Sequence, residues 1–406
     1  MALTHEVSRV REILAAARLE HVRYAIRDIA VLAEQLAREG KEVLPLNIGD
    51  PLKFDFRTPQ HLIEAVVKAM RDGKDGYAPS AGVDEALEAI RAEAERKGVR
   101  NTQSVFVTQG VSEAVDLCLT ALVNPGENVL APCPEYPLYS AVLAKLGAEP
   151  NAYALDEASG WEPDLDDLAR KINSRTRAVV VINPNNPTGA VYSRKTLEAI
   201  AGLARRHGLV ILADEIYDKL ILDGEPHVSI ASLAPGVPTV TLNGLSKAYL
   251  APGWRVGWAV VSGDAAAVKP YVEGVHKLLR SRLSANHPEQ YAVRPALEGP
   301  QDHLSEVVRK LRSRRDLTVK YLNRTPRLGC VSPQGAFYAF PRLDIHGTDE
   351  EFVRRLLIEK QVLVVHGSGF GQAPGTRHFR LVFLPDEATL TRAYDGIAEF
   401  LKGWER

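Results

Sequence analysis

The chain has 406 residues, 45% hydrophobic and 25% charged, an ordinary globular composition that excludes a disordered or fibrous polymer. Fifty Lys and Arg against 51 Asp and Glu leave a net charge of −1, so no bulk field favours nucleic acid or an anionic membrane, and an anionic ligand must be held by local charges. Three scattered cysteines, Cys118, Cys133 and Cys330, lack any metal-ligand or redox spacing. With no signal-like apolar stretch at the start and no run of about 20 apolar residues, the expectation is a cytoplasmic protein with neither metal nor membrane partner.

In chain order, the first forty residues read as helical and lead into a loop at 46–59. From about 60 to 295, short β-branched runs alternate with helical stretches, the pattern of a mostly parallel sheet covered on both faces. Strands are predicted at 104–108, 128–131, 178–182, 209–213, 239–242 and 256–261, and helices at 84–97, 113–123 and 194–207. The C-terminal part is predicted as a smaller α+β unit, with a long helix at 301–323, strands at 336–340, 362–365 and 379–383, and a closing helix. Residues 1–59 are expected to pack with that unit (296–406) and not with the large one (60–295). Ligands in such a fold belong at the carboxyl ends of the strands.

Three strand ends carry unusual chemistry. The run AVVVI enters Asn183-Pro184-Asn185-Asn186-Pro187-Thr188-Gly189, which cannot be helix or central strand and presents its side chains from a fixed loop. LVILA ends in Asp214-Glu215-Ile216-Tyr217, a carboxylate at the mouth of a buried strand, for which helix capping is the plain alternative. After 239–242 comes Asn243-Gly244-Leu245-Ser246-Lys247, with Arg255 eight residues beyond the lysine. Partial burial in that loop would lower the Lys247 pKa and expose a nucleophilic amine. Where SVFVT gives way to a helix, Gly110-Val111-Ser112 offers backbone N–H groups to an anion, and Arg255 adds a forked cation suited to phosphate. Along 377–383, alternation puts Arg380 on a face with Val382, where a guanidinium is costly unless an anion such as a carboxylate meets it.

Asn186-Pro187-Thr188-Gly189, Asp214-xx-Tyr217, and Ser246-Lys247 followed by Gly253-Trp254-Arg255 together resemble the ordered motifs of the class I aminotransferases, pyridoxal-phosphate enzymes of fold type I. Leu46-Asn47-Ile48-Gly49-Asp50-Pro51 and Asp214-Glu215-Ile216-Tyr217-Asp218-Lys219 are similar to bacterial and archaeal alanine aminotransferases. The resemblance implies an α/β fold with a mostly parallel seven-stranded sheet between helices plus a smaller α+β domain. It implies Lys247 as the catalytic amine that holds pyridoxal 5'-phosphate, and Asp214 as the partner of the ring nitrogen. Asn186 and Tyr217 would bond the ring's 3' oxygen and Tyr136 would stack on the ring. Gly110, Val111, Ser112, Ser246 and Arg255 would grip the phosphate, together with Tyr77 reaching over from a second subunit of a homodimer. Arg380 and Gly49 would receive the substrate carboxylate, and Tyr24 would bound the side-chain pocket. Arg27 and Arg282 are the candidates for the distal carboxylate of 2-oxoglutarate. The chain departs from aspartate aminotransferases at Gly244, where many relatives carry a phosphate-binding serine, which leaves Ser246 to supply the hydroxyl.

The resulting expectation is transfer of the amino group of L-alanine to 2-oxoglutarate. Aminotransferases of other amino acids and a C–S β-lyase share the same cofactor residues. A pyridoxal-phosphate-binding transcription regulator is disfavoured because residues 1–45 are too short for a DNA-binding module with a linker. Gly367-Ser368-Gly369-Phe370-Gly371 is similar to a dinucleotide-binding loop, but its spacing is wrong and no helix signal comes after it.

Overall fold

A computed structural model describes residues 12–22 and 25–404. Helix α1 (Ala25–Arg38) and the two-residue strand β1 (Leu44–Pro45) come first; a helix over Gln60–Arg71 then precedes helix α2 (Asp84–Arg96), whose first turn carries Asp84 and Glu85. The large sheet then takes β2 (Thr102–Gln109), β3 (Asn128–Cys133), β4 (Glu149–Asp156), β5 (Glu162–Pro163), β6 (Thr176–Ile182), β7 (Val210–Asp214), β8 (Thr239–Gly244) and β9 (Val256–Ser262). Helices α3 (Val111–Thr120), α4 (Leu138–Leu146) and α5 (Arg194–His207) lie between these strands in the chain. In space the order is β2-β9-β8-β7-β6-β3-β4-β5.

Burial on both faces explains why the central strands are continuous apolar runs. In β6, Ala178, Val180 and Ile182 enter one core, and Val179 and Val181 enter the core on the opposite face. The sheet has eight strands where seven were expected. The additional one is β5, a two-residue antiparallel edge that folds back on β4 after a tight turn. Strand β4 escaped the sequence reading because Glu149, Pro150 and Asn151 break the apolar pattern at an edge that is only partly buried.

Strands β3, β4, β6, β7 and β8 run parallel, and β9 runs antiparallel to both β2 and β8. Gln109 pairs with Val256 and Gly244 with Gly257. The reversed strand therefore begins at the edge where its neighbours end, so Arg255 arrives beside Gly110 and the loop that carries Lys247.

Beyond the sheet, α6 (Asp302–Arg324) leads to β10 (Tyr338–Ala339), α7 (Asp349–Lys360), β11 (Val362–Leu363), β12 (Val365–His366), β13 (Phe379–Val382) and α8 (Glu387–Lys402). The run predicted as one strand at 362–365 is split: β11 pairs in parallel with β1, and β12 pairs antiparallel with β13. Ala33 and Leu36 of α1 pack on Leu357 and Leu363. Leu46 bonds to Leu363 and Val382 through its backbone at 2.8 and 2.9 Å. Those bonds carry the 46–50 loop to the end of β13, next to the edge of the large sheet.

Candidate active site

A cavity of about 570 Å3 opens at that edge, lined by residues from both parts of the chain, a size typical of small-molecule sites. Lys247 reaches it from the turn after β8, and its Nζ donates to the Gly49 carbonyl at 2.8 Å. Burial, helped by the nearby Arg380 and Arg255 charges and opposed by Asp50 and Asp214, lowers its ammonium to about 8. About a tenth of the amine is then neutral at pH 7 and about half at pH 8, far more than an ordinary lysine offers to nucleophilic or proton-moving chemistry.

Asp214 ends β7 at the floor of the cavity, and burial pushes its carboxyl up to about 6. Two bonds work against that rise. Tyr139 Oη donates to Oδ2 at 3.0 Å, and the Ile216 N–H donates to Oδ1 at 3.3 Å. The second bond keeps the turn-forming role of Asp214 alive, but the first comes from α4, 75 residues away in the chain, and turns the carboxylate into a fixed acceptor. Neighbouring Glu215 raises the Asp214 pKa further, so a cation against this carboxylate would be strongly favoured.

Arg380, fully buried on β13, donates through Nη1 to Asn186 Oδ1 at 3.1 Å and through Nη2 to the Asn47 carbonyl. The rings of Tyr338 and Phe370 lie 4.6 and 4.8 Å from its guanidinium carbon. The oxygens reached by these two bonds are neutral, and a planar guanidinium held this way at a cavity wall suits bidentate capture of a carboxylate. With Oδ1 engaged by Arg380, Asn186 offers its amide N–H groups to a ligand oxygen. The Tyr217 hydroxyl bonds that of Tyr338 at 2.9 Å.

The opposite wall is an anion cradle. Gly110 caps α3 with Val111 and Ser112 in its first turn, so unsatisfied backbone N–H groups and the positive helix end face one region. Arg255 stands beside them in a left-handed conformation (φ +52°) uncommon for a residue with a side chain, bonding the Pro252 and Gln109 carbonyls at 2.8 and 3.5 Å. Ser246 and Tyr136 line the same cavity. Gly244 does not face this cradle. A Cβ there would lie 2.6 Å from the Val256 carbonyl, so close packing of β8 on β9, and not ligand binding, accounts for glycine at this position.

The cavity thus unites Lys247, Asp214, Asn186, Tyr217, Ser246, Arg255, Arg380, Gly49, Tyr136, Val111 and Ser112, with Gly110 at its margin. At Gly49 a side chain would collide with the Tyr338 hydroxyl, and the Gly49 carbonyl accepts from Lys247. Tyr77 lies outside the cavity and is 81% exposed. Arg282 is also outside; it donates to the Ser80 and Val107 carbonyls at 3.3 and 2.7 Å and faces Glu113 at 3.7 Å. Only its Nη2 makes those two bonds; Nε and Nη1 are buried without a hydrogen-bond partner among the described residues. Tyr24 and the Arg27 side chain lie outside the described residues. Sequence reasoning missed Tyr139, Tyr338, Asp50 and Lys53; the last three line the cavity. No local motif marks Tyr139 or Tyr338, although Asp50 sits inside the motif at 46–51.

Among the described residues no group of His, Cys, Asp and Glu could hold a metal. The donor set suits pyridoxal phosphate: a helix N-terminus with an arginine for the phosphate, a buried carboxylate for a ring cation, and an amine of lowered pKa for an aldehyde.

The family model for aminotransferases of class I and II matches residues 41–397. The chain is 40% identical to glutamate-pyruvate aminotransferase AlaA of Escherichia coli over 402 residues, covering 96% of this chain and 98% of the other. It is 40% identical to alanine aminotransferase of Mycobacterium tuberculosis over 408 residues, covering 98% and 95%. The solved alanine aminotransferase of Pyrococcus furiosus superposes with a TM-score of 0.93 at 43% identity, over 96% of this chain and 100% of that one.

Proposed function

Since the chain belongs to the class I and II aminotransferases, a pyridoxal-phosphate-dependent family, we propose that it exchanges the amino group between L-alanine and 2-oxoglutarate, yielding pyruvate and L-glutamate. The observation that carries this reading is the meeting, in one cavity, of an amine lowered to about 8 (Lys247) and a buried guanidinium (Arg380). The names of the full-length relatives support alanine as donor.

When bound, pyridoxal phosphate supplies an aldehyde for covalent capture of an amine and a ring that withdraws electrons from the substrate Cα. Lys247 would hold that aldehyde and, once displaced by substrate, serve as the base that takes the Cα proton and returns it on the cofactor side. The Gly49 carbonyl aims its Nζ. Asp214 would keep a proton on the ring nitrogen, Asn186 and Tyr217 would bond the ring oxygen, and Tyr136 would stack. Ser112, Ser246, Arg255 and the N–H groups after Gly110 would hold the phosphate. Arg380 would bind the substrate carboxylate, and Ile48, Val111, Leu138 and Ile216 provide apolar wall for a small side chain.

The quaternary reading is a homodimer. Tyr77 is 81% exposed and stands outside the cavity of its own chain, and in this reading Tyr77 of a second copy would complete the phosphate grip. Residues 60–295 form the cofactor-binding unit in this reading and 25–59 join 296–406, but Ala17–His21, expected to pack with the smaller unit, instead lie against α4 of the larger one. No described helix is long and apolar enough to cross a membrane, and all three cysteines are free; a cytoplasmic setting fits both.

The test is to add L-alanine to the cofactor-loaded protein without any keto acid, following the visible spectrum and pyruvate. One pyruvate per bound cofactor, with loss of the aldehyde-form band and regeneration by 2-oxoglutarate, is the expected result. An unchanged spectrum with alanine, together with release of pyruvate and ammonia from cystathionine, would replace the transaminase with a lyase.

A further inference from the structure

Directly behind the turn that bears Asp214 and Tyr217 lies a second cluster of charges that the reaction does not use. Lys97, the residue that caps the C-terminal end of α2, sends its ammonium to the carboxylates of Asp218 and Glu215, the latter at 3.7 Å. Both acids have side chains only 2–3% exposed. Lys219, on the same turn, reaches back to Glu93 of α2 at 2.8 Å. Three ion pairs therefore cross between one helix and the 214–219 turn, two with the cation at the end of α2 and one with it on the turn. Burial opposes charge on Lys97, but Asp218 and Glu215 outweigh it and raise its proton affinity, so it is an ammonium at every physiological pH.

The cluster is also short of hydrogen bonds. Both Glu215 oxygens, Asp218 Oδ1, Ser229 Oγ, Thr241 Oγ1 and Tyr249 Oη are buried without a hydrogen-bond partner among the described residues. A small cavity of about 20 Å3 is lined by Lys97, Asp218, Ser229, Thr241 and Tyr249 among others. That is room for a single water molecule, and the mix of acceptors and hydroxyl donors is what such a molecule satisfies. Thr241 sits on β8, three residues before the end of the strand that leads to Lys247, so this spot also joins the two strand ends that carry the chemistry.

We propose that Lys97 is a positioning residue for the cofactor site: with a buried water, it clamps Glu215 and Asp218 to α2 and so fixes the turn that presents Asp214 and Tyr217 to the cavity. The ordinary alternative is a charge cluster that contributes to stability alone. Removing the clamp distinguishes the two, because a buried carboxylate pair without its cation must take up a proton or move, and the turn it would move carries two cofactor-binding groups. This inference rests on the proposed function, since it assigns Asp214 and Tyr217 to pyridoxal phosphate.

The experiment is a titration of cofactor-free wild type, Lys97→Met and Lys97→Arg with pyridoxal phosphate, following the visible band, alongside thermal melts of the cofactor-free forms. Lys97→Met is expected to bind at least tenfold more weakly with a displaced band. Lys97→Arg, which keeps the cation, is expected to stay within about threefold of wild type. If Lys97→Met does not fold, Lys97→Met with Glu215→Gln and Asp218→Asn removes the buried charge while keeping the side-chain volumes, and the same loss of affinity is expected. Wild-type affinity and an unmoved band in either folded variant, even with a lowered melting temperature, would reduce the cluster to a structural role and overturn the proposal. Absence of binding by wild type itself would overturn the functional reading beneath it.

Discussion

Replacing Tyr139 by Phe removes one oxygen from a fully buried position and leaves the ring in place, so it isolates the bond to Asp214 Oδ2 at 3.0 Å. A hydrogen bond to a charged acceptor contributes about 1.5–3 kcal/mol, and one pKa unit corresponds to about 1.4 kcal/mol. Loss of the bond should therefore raise Asp214 from about 6 by roughly 1–2 units. The remaining Ile216 N–H bond is longer, at 3.3 Å, and cannot compensate. Because the ring nitrogen needs the carboxylate form, cofactor affinity falls as pH drops through the Asp214 pKa, and in Tyr139→Phe that fall begins higher. The assay is the dissociation constant of pyridoxal phosphate between pH 5.5 and 8.5 for both proteins; the ligand's own titrations cancel in their ratio. The ratio should grow steadily from pH 8.5 toward pH 6. A ratio flat with pH in a folded variant would show that Tyr139 does not govern the carboxylate.

Three further outcomes are expected. Asp214 is raised on folding from 3.8 to about 6, so its contribution favours the cofactor-free fold at low pH and is lost as pH rises through 6, a change of about 3 kcal/mol. Cofactor-free Asp214→Asn should consequently melt near wild type at pH 4 and well above it at pH 8; equal melting temperatures at pH 8 would contradict the burial argument. Arg380→Ala should raise the KM for alanine by roughly a hundredfold, since a bidentate charged contact is worth about 3 kcal/mol, while pyridoxal phosphate titrates normally, as steady-state kinetics with a parallel cofactor titration would show. Gly244→Ser should destabilise the fold by about 1–3 kcal/mol, because its Cβ meets the Val256 carbonyl at 2.6 Å; tighter phosphate binding with unchanged denaturant stability would mean that the position faces the ligand after all.

Much of the cofactor site was legible because its parts are local. A strand that must be apolar on both faces, as β7 is, announces its end when Asp214 follows Leu212 and Ala213, and the prolines around Asn186 exclude any regular element. The arginine on β13 was legible for a similar reason, as a charge inside an apolar run. Element boundaries followed where helix signals were strong, as at Arg194–His207, which Ser193 caps and Gly208 ends. They failed at β4 and β5, an edge where no second buried face enforces the pattern.

Local patterns along the chain suffice to name the chemistry on offer: which amine, which carboxylate and which arginines stand at strand ends, and in what order. Their protonation and aim come from the packed fold. Tyr139 meets Asp214, Arg380 meets Asn186 and Lys97 meets Asp218 across 75, 194 and 121 residues of chain. The fold also places Arg282 against backbone carbonyls outside the cavity of its own chain and packs Gly244 against β9. Periodicity and turn chemistry act over a few residues, whereas burial, hydrogen bonding and the field at a carboxylate are set by whatever the fold brings within a few ångströms.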